Sequence, residues 1–533
     1  MAQAIDRTSL AGKEFPLAGH SSLVVLGAGP AGVAAALEAR LGGLDVLLVD
    51  EHPVASALIG LDVPYMFGER LDPAAHNKPR MLERVLTGRP EIAALFEAGV
   101  DVALGTYVWG AFVDQARGDA PQQLLLGLAD EEHSWLVSCD RLIVAAGARD
   151  LALAFPGWDR PGVVGARGFA AALTLYQAFS GRRIVVLGAG ALGLGIASNA
   201  LDAGIAVAGI VDVQAAASAG PALDGLTRRG IPICLQHRVM AVGGAREVEG
   251  ISIAPLGRPH ARVEIACDTV VSALDVVPMS EVFALLGCKI VWHGELGGFV
   301  PEVDDEGRTT VSGVYAAGDC TGVTDRGLGD PESAALSGRR AARAAARDRG
   351  GDMMPLPMTG RARLYDRTLN SRSWLEAHLD AADETMICRC EGVSRGDLLG
   401  VRPPRYLRYD TQKLAVRDLY SLGSEGPVNQ DQVKRLTRVG MGACQGRRCR
   451  EQVHLILTLH GNQPPGSVAM PSYRAPLRPL PLAVLSAHDE TAEMRAHWVT
   501  WSGIPSQWLP HWEKAPDEDI PSDHRIGLPD VGQ

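Results

Sequence analysis

The chain has 533 residues, 47% of them hydrophobic and 21% charged, a size and composition that predict three or four globular units at roughly 150 residues each and exclude wholesale disorder. A formal net charge of -11 excludes nucleic acid as the main partner, because phosphate binding rests on clustered positive charge. The first twenty residues lack the continuous apolar stretch of a signal peptide, and no run of about 18 apolar residues occurs, so a cytoplasmic chain is expected, membrane-peripheral at most through partners.

Residues 21–51 read SSLVVLGAGPAGVAAALEARLGGLDVLLVDE. A run of β-formers ends at Gly27, GAGPAG supplies G-x-G-x-x-G, an alanine-rich helix follows, and a second strand ends at Asp50 and Glu51. Gly27 serves the tight turn, Gly29 the close approach to a pyrophosphate, and Gly32 the packing of helix on strand. The helix N-terminus faces the anion. Asp50 stands where a carboxylate accepts hydrogen bonds from an adenosine ribose, with Glu51 as the alternate. The stretch LIVAAGARD, 142–150, reads as a buried strand ending at Ala146 and Gly147.

The same signature returns at 182–212, RRIVVLGAGALGLGIASNALDAGIAVAGIVD, with Gly188, Gly190 and Gly193 in the three roles and Asp212 at the end of the second strand. An acid without a neighbouring arginine favours a ribose 2′-hydroxyl, so an occupied site prefers NAD to NADP. The alternative is a fold that persists and binds nothing. Further on, TVSGVYAAGDCTG, 310–322, runs a strand into Gly318 and Asp319; by itself this is an ordinary buried strand and turn. An alanine-rich helix is expected within 327–350 and a Gly/Pro/Met linker at 351–360.

Of nine cysteines, Cys139, Cys234, Cys267, Cys288 and Cys320 stand alone and read as small buried apolar residues. No CxxC or CxxxxC lies in the first 380 residues, so a dithiol redox centre has no candidate there. Cys388 and Cys390 form a CxC, and Cys444 and Cys449 a CxxxxC, four thiols within 62 residues. Spacing alone leaves zinc and an iron–sulfur cluster both open, although zinc ligands normally stand two to four residues apart. Residues 401–450 carry eleven Lys/Arg against four Asp/Glu. That excess suits either an anionic cluster or a solvated docking face. Beyond about residue 462 the chain turns Pro-rich, and Trp498, Trp501, Trp508 and Trp512 suit either a subunit interface or packing on the parent domains.

In this order the two fingerprints, LIVAAG and GVYAAGDC resemble the two-dinucleotide-binding flavoproteins. The resemblance implies that the first fingerprint holds the FAD adenosine, that Gly147 lies on the crossing between domains, and that Asp319 binds the ribityl or pyrophosphate region. It also implies that the second nucleotide domain is inserted into the first. Relatives carry a glycine pair after the acidic residue where this chain reads EHPVASALIGLDVPYMFGERL, which leaves an ADP-type nucleotide open beside FAD.

The segments FPGWDRPGVVGARG, ICRCEGVS, QVKRLTRVGMGACQGRRC and SYRAPLRPLPLAVL are similar to the large subunits of opine, hydroxyproline and sarcosine-type dehydrogenases and of hydrogen cyanide synthase. These end in a bacterioferritin-associated-ferredoxin-like [2Fe–2S] domain. The resemblance covers most of residues 20–485 and implies that Cys388, Cys390, Cys444 and Cys449 ligate the cluster. It departs from the pattern at 402–422, which reads as an insertion. The fold expected is α/β: an FAD-binding Rossmann-type domain (20–155 and 291–350) with an inserted NAD-type Rossmann domain (156–290), a linker (351–384), a small mainly helical [2Fe–2S] domain (385–462) and a Pro/Trp-rich arm (463–533).

The function implied is an FAD-dependent oxidoreductase, the electron-transfer subunit of a heteromeric amine or amino-acid dehydrogenase whose separate flavoprotein subunit oxidises the small-molecule amine. Two alternatives stand beside it: a self-sufficient NADH-dependent flavin reductase, and a non-catalytic nucleotide-binding scaffold. No residue is named as a catalytic acid or base.

Overall fold

A computed structural model describes residues 17–54, 67–114, 123–323, 329–356, 368–403, 417–461 and 463–486. The four clustered tryptophans, most of the 402–422 insertion and much of the stretch that follows Glu51 lie outside the described residues.

The first sheet is built on Leu17–Leu26, flanked in parallel by Val46–Asp50 on one side and Ser134–Val144 on the other, with Asp101–Leu104 beyond Val46–Asp50. Parallel strands covered on both faces read as unbroken apolar runs. Leu23, Val24 and Val25 are fully buried, as are Leu142, Ile143 and Val144. The far edge of Ser134–Val144 is shared: its first half pairs antiparallel with Gln123–Ala129, which in turn pairs with Tyr107–Asp114, and its last residues pair in parallel with Val314–Ala316. A strand from beyond residue 310 therefore completes a sheet begun at residue 17.

The chain between those strands forms a second parallel sheet, ordered Ile233–Cys234, Ala206–Val211, Arg183–Leu187, Thr269–Ser272 and Val163–Gly165. A three-stranded antiparallel layer, His237–Gly243, Gly250–Pro255 and Val263–Ala266, adjoins it.

The helix Pro30–Leu41 starts with proline at its first turn, where a missing N–H costs nothing. It packs along Pro331–Arg347, whose first amides donate to the Asp330 side chain at 3.1 Å. Alanine on both faces (Ala35, Ala36 and Ala39 against Ala341, Ala342 and Ala345, all fully buried) lets the two backbones approach closely. A Cβ at Gly338 would strike the Ala31 carbonyl.

After residue 368 the chain forms helix Thr368–Glu376, a short hairpin of Met386–Cys388 with Val393–Ser394, and helices Arg395–Leu399, Leu419–Glu425, Gln430–Thr437 and Arg450–His460. This lobe does not build a separate core. Trp374, Val393, Val433 and Val453 share one apolar cluster with Val211, Val213 and Val239 of the second dinucleotide fold. Among the described residues no helix is long and apolar enough to cross a membrane.

Candidate functional site

The two fingerprints fold almost identically. The Gly27 amide donates to Val49 and the Gly188 amide to Val211, at 2.7 and 2.8 Å, and the two glycines take φ of +104° and +107°. A Cβ at Gly27 or Gly188 would run into the carbonyl of Ala145 or Ala273, and one at Gly32 or Gly193 into the carbonyl of Gly27 or Gly188. Those four glycines are required by packing alone. Gly29 and Gly190 differ: their backbone is extended, and a Cβ there would meet nothing within 4 Å. Glycine at these two positions is not required by packing and leaves the helix N-terminus open to approach.

In the first fold that space belongs to a cleft of about 780 Å³, within the range of cofactor sites, running past Gly29, Asp50, Glu51, Gly147, Gly318 and Asp319. The Asp50 oxygens accept from the amides of Ala28 at 2.6 Å and His52 at 2.8 Å. Each keeps a free lone pair, so a ribose hydroxyl can still be received. Glu51 is ion-paired with Arg478. Gly147 takes φ of +74° with open space where its side chain would be. Gly318 donates to Ser337 Oγ at 2.8 Å, and Asp319 accepts from Arg167 at 2.6 Å. These residues fit a dinucleotide: a helix N-terminus and Gly29 for the diphosphate, Asp50 for the ribose, and Arg167 and Asp319 further along. Replacing Gly29 by valine is expected to weaken adenine-nucleotide retention about a hundredfold, ~2.7 kcal/mol, with no loss of thermal stability; retention of nucleotide at the wild-type level would show that the cleft takes something else.

Asp212 accepts from the amides of Ala189 and Gln214 at 2.5 and 2.9 Å, as Asp50 does from its own turn. Its setting is different. Burial raises its pKa, opposed by those amides and by the Trp374 side chain beside it, and the large cleft does not reach it.

The four clustered cysteines converge. Cys388 lies beside Cys449 and Cys390 beside Cys444, each pair close enough for the two thiols to shift one another's ionisation. Cys388 is lowered first by Cys449, and Cys390 to about 6 by Cys444, burial opposing both; their partners are raised by the same pairing. The Gly440 amide points at Cys388 Sγ at 3.5 Å, and a Cβ at Gly442 would overlap that of Cys390. Among the described residues no group of three or more His, Cys, Asp or Glu side chains is arranged to hold a metal ion. The thiols stand in two facing pairs, a donor set of soft sulfur ligands next to buried Arg447 and Arg448. Of the five solitary cysteines, Cys139, Cys267, Cys288 and Cys320 are buried as expected, whereas Cys234 is half-buried on an edge strand.

A buried charge network joins cleft and thiols. Glu281 pairs with Arg450 and with Arg149 (3.4 Å), and Glu451 with Arg450 (2.7 Å) and Arg149. Arg149 Nε also donates to the Arg447 carbonyl at 3.3 Å. Arg149, Glu281 and Arg447 all line the cleft, while Arg450 directly follows Cys449. Burial opposes ionisation of Glu281, but Arg450, Arg149 and Arg447 outweigh it and hold its carboxyl well below the usual range.

Residues 21–349 match the pyridine nucleotide-disulphide oxidoreductase family. The chain belongs to this family. It is an FAD-dependent oxidoreductase. Residues 409–489 match the sarcosine oxidase A3 domain. An opine oxidase subunit from Agrobacterium tumefaciens (strain Ach5) is 29% identical over 506 residues, covering 88% of this chain and 92% of its own length. The hydrogen cyanide synthase subunit HcnB of Pseudomonas protegens is 28% identical over 462 residues, covering 80% and 89%. The crystal structure of L-proline dehydrogenase from P. horikoshii shares the fold, with a TM-score of 0.59 at 18% identity over 89% of this chain and 81% of that one.

Within this oxidoreductase fold several cleft residues carry no signature of their own. Arg167 sits inside FPGWDRPGVVGARG and Arg478 inside SYRAPLRPLPLAVL, yet their partners Asp319 and Glu51 lie 152 and 427 residues away. His52 and Tyr176, hydrogen-bonded to each other at the cleft wall, are likewise brought together from 124 residues apart. Only the placement of Asp50 and Asp319 at the ends of legible strands could have pointed to such partners.

Proposed function

We propose that this chain is the electron-transfer subunit of a heteromeric dehydrogenase acting on a secondary amine or amino acid of the opine, hydroxyproline or sarcosine class. FAD would lie in the first cleft, held by Gly27, Gly29 and Gly32 at the diphosphate, Asp50 at the ribose, and Gly147, Gly318 and Asp319 toward the flavin. A [2Fe–2S] cluster would be held by Cys388, Cys390, Cys444 and Cys449. A flavin accepts a hydride equivalent and releases electrons singly, which matches it to a one-electron centre.

The observation that carries this reading is the adjacency of the two sites. Arg447 lines the nucleotide cleft and lies in the loop between Cys444 and Cys449, so no more than two residues separate cleft wall from thiol ligand. Facing thiol pairs favour a two-iron cluster over a single zinc ion, which would draw four ligands about one point. The Gly440 amide and the charge of Arg448 favour the thiolate form. Arg167 offsets the Asp319 carboxylate on the side of the cleft proposed for the flavin.

The names of the similar proteins support a role as one chain of a complex; in this reading the amine is oxidised on a separate flavoprotein chain. Offered an opine, hydroxyproline or sarcosine with an artificial electron-accepting dye, the isolated chain is expected to give no turnover, and the complex recovered intact from its natural host to reduce the dye. Turnover by the isolated chain would contradict its assignment to such a complex.

A further inference from the structure

The second fingerprint keeps its turn, its glycines and its acid, yet its surroundings have changed. In the first fold the residues on either side of the acid, Val49 and Glu51, line the open cleft. In the second, Val211 and Val213 lie in an apolar core with Trp374 and Leu375. Trp374 is 2% exposed and stacks on His378 with ring centres 5.6 Å apart and planes 5° from parallel. Its side chain lies beside the Asp212 carboxylate, between whose neighbours Val211 and Val213 it packs, and Asp212 is the group that a ribose would need.

The lobe that carries this tryptophan is held in place at several points, the end of the Thr368–Glu376 helix by Arg238 and the hairpin and last helix by Trp158 and Gln452. Arg238 Nη1 donates to the Ala377 carbonyl at 3.0 Å, and Trp158 Nε1 to the Met386 carbonyl at 2.5 Å. Gln452 accepts from the Ala154 amide and donates to the Ile387 carbonyl, both at 2.9 Å. A nucleotide could reach Asp212 only after helix Thr368–Glu376 had left, drawing Trp374 and Leu375 out of the core and breaking the Arg238–Ala377 bond.

We infer that the second dinucleotide fold is the docking seat of the chain's own thiol lobe, with Trp374 standing at Asp212 in place of a ribose, and that it takes no NAD. The fold then positions the four cysteines against the first cleft instead of delivering reducing equivalents from NADH. This inference is independent of the amine reading, because it concerns binding and not turnover.

The test is NADH binding to the full chain by equilibrium dialysis at up to about 1 mM, the upper end of ordinary nucleotide affinities, with saturating FAD present to occupy the first cleft. No saturable binding is expected for the wild type or for Gly190→Val, a variant whose side chain projects only into open space. Saturable binding that Gly190→Val weakens tenfold or more would overturn the inference. A second readout is hydrogen exchange in Trp374→Ala, where amides over 206–213 and 368–399 should exchange at least tenfold faster than in the wild type. Unchanged exchange over both segments would show that Trp374 does not secure the seat.

Discussion

Replacing Glu281 by glutamine is expected to destabilise the chain by about 3–5 kcal/mol, the penalty for removing one partner from a buried ion pair. Glu281 is 4% exposed and is the shared counter-ion of Arg149 and Arg450, which are 6% and 3% exposed. Glu451 remains, but it already bonds both arginines. The variant would leave an excess of buried positive charge between cleft and thiol lobe.

Denaturant unfolding of both proteins measures the cost, and its pH dependence identifies the cause. A carboxyl held below its unfolded value of about 4.3 contributes stability that is fully present above that value and is lost as pH falls through the folded value. The wild-type advantage over Glu281→Gln should therefore stay constant from about pH 8 to about pH 5 and shrink on further acidification. A difference below about 1 kcal/mol, the range of an exposed pair, would mean that the network is solvated and does not join the lobes.

The second large effect is expected from Cys388→Ser. Cys388 is 2% exposed, lies beside Cys449 and faces the Gly440 amide. A neutral hydroxyl cannot replace a thiolate ligand to a soft metal centre. Iron and acid-labile sulfide should fall to background while bound flavin is retained, because Asp50 and the strand that leads into the Gly29 turn belong to a sheet that does not include the hairpin Met386–Cys388. Cys234→Ser, a half-buried cysteine on an edge strand of the second fold, should leave both contents at wild-type levels. Equal iron in Cys388→Ser and wild type would remove Cys388 from the ligand set.

Much of the fold was legible because its signals are local. Strand, glycine turn, helix and acid recur within 31 residues at 21–51 and 182–212, and both stretches form those elements in that order. The return of Val314–Ala316 to the first sheet was legible only through the resemblance, since pairing with Leu142–Val144 spans more than 170 residues. Neither periodicity nor spacing could reveal that Glu51 meets Arg478, that Arg149 meets Glu451, or that Trp374 meets Asp212. These contacts are set by how the thiol lobe docks. The solitary-cysteine reading failed in part at Cys234, because a two-residue edge strand covers only one flank of its residues.

The reading of a flavin and an iron–sulfur cluster in one chain is tested most directly by anaerobic reduction of the purified chain with limiting dithionite, followed by visible and electron paramagnetic resonance spectra on one sample. The expected result is bleaching of flavin bands together with the rhombic signal of a reduced [2Fe–2S] cluster, iron and sulfide being present in equal amounts. A flavin that bleaches with no paramagnetic iron signal, in a protein whose four cysteines react as free thiols after anaerobic reconstitution with iron and sulfide, would contradict it.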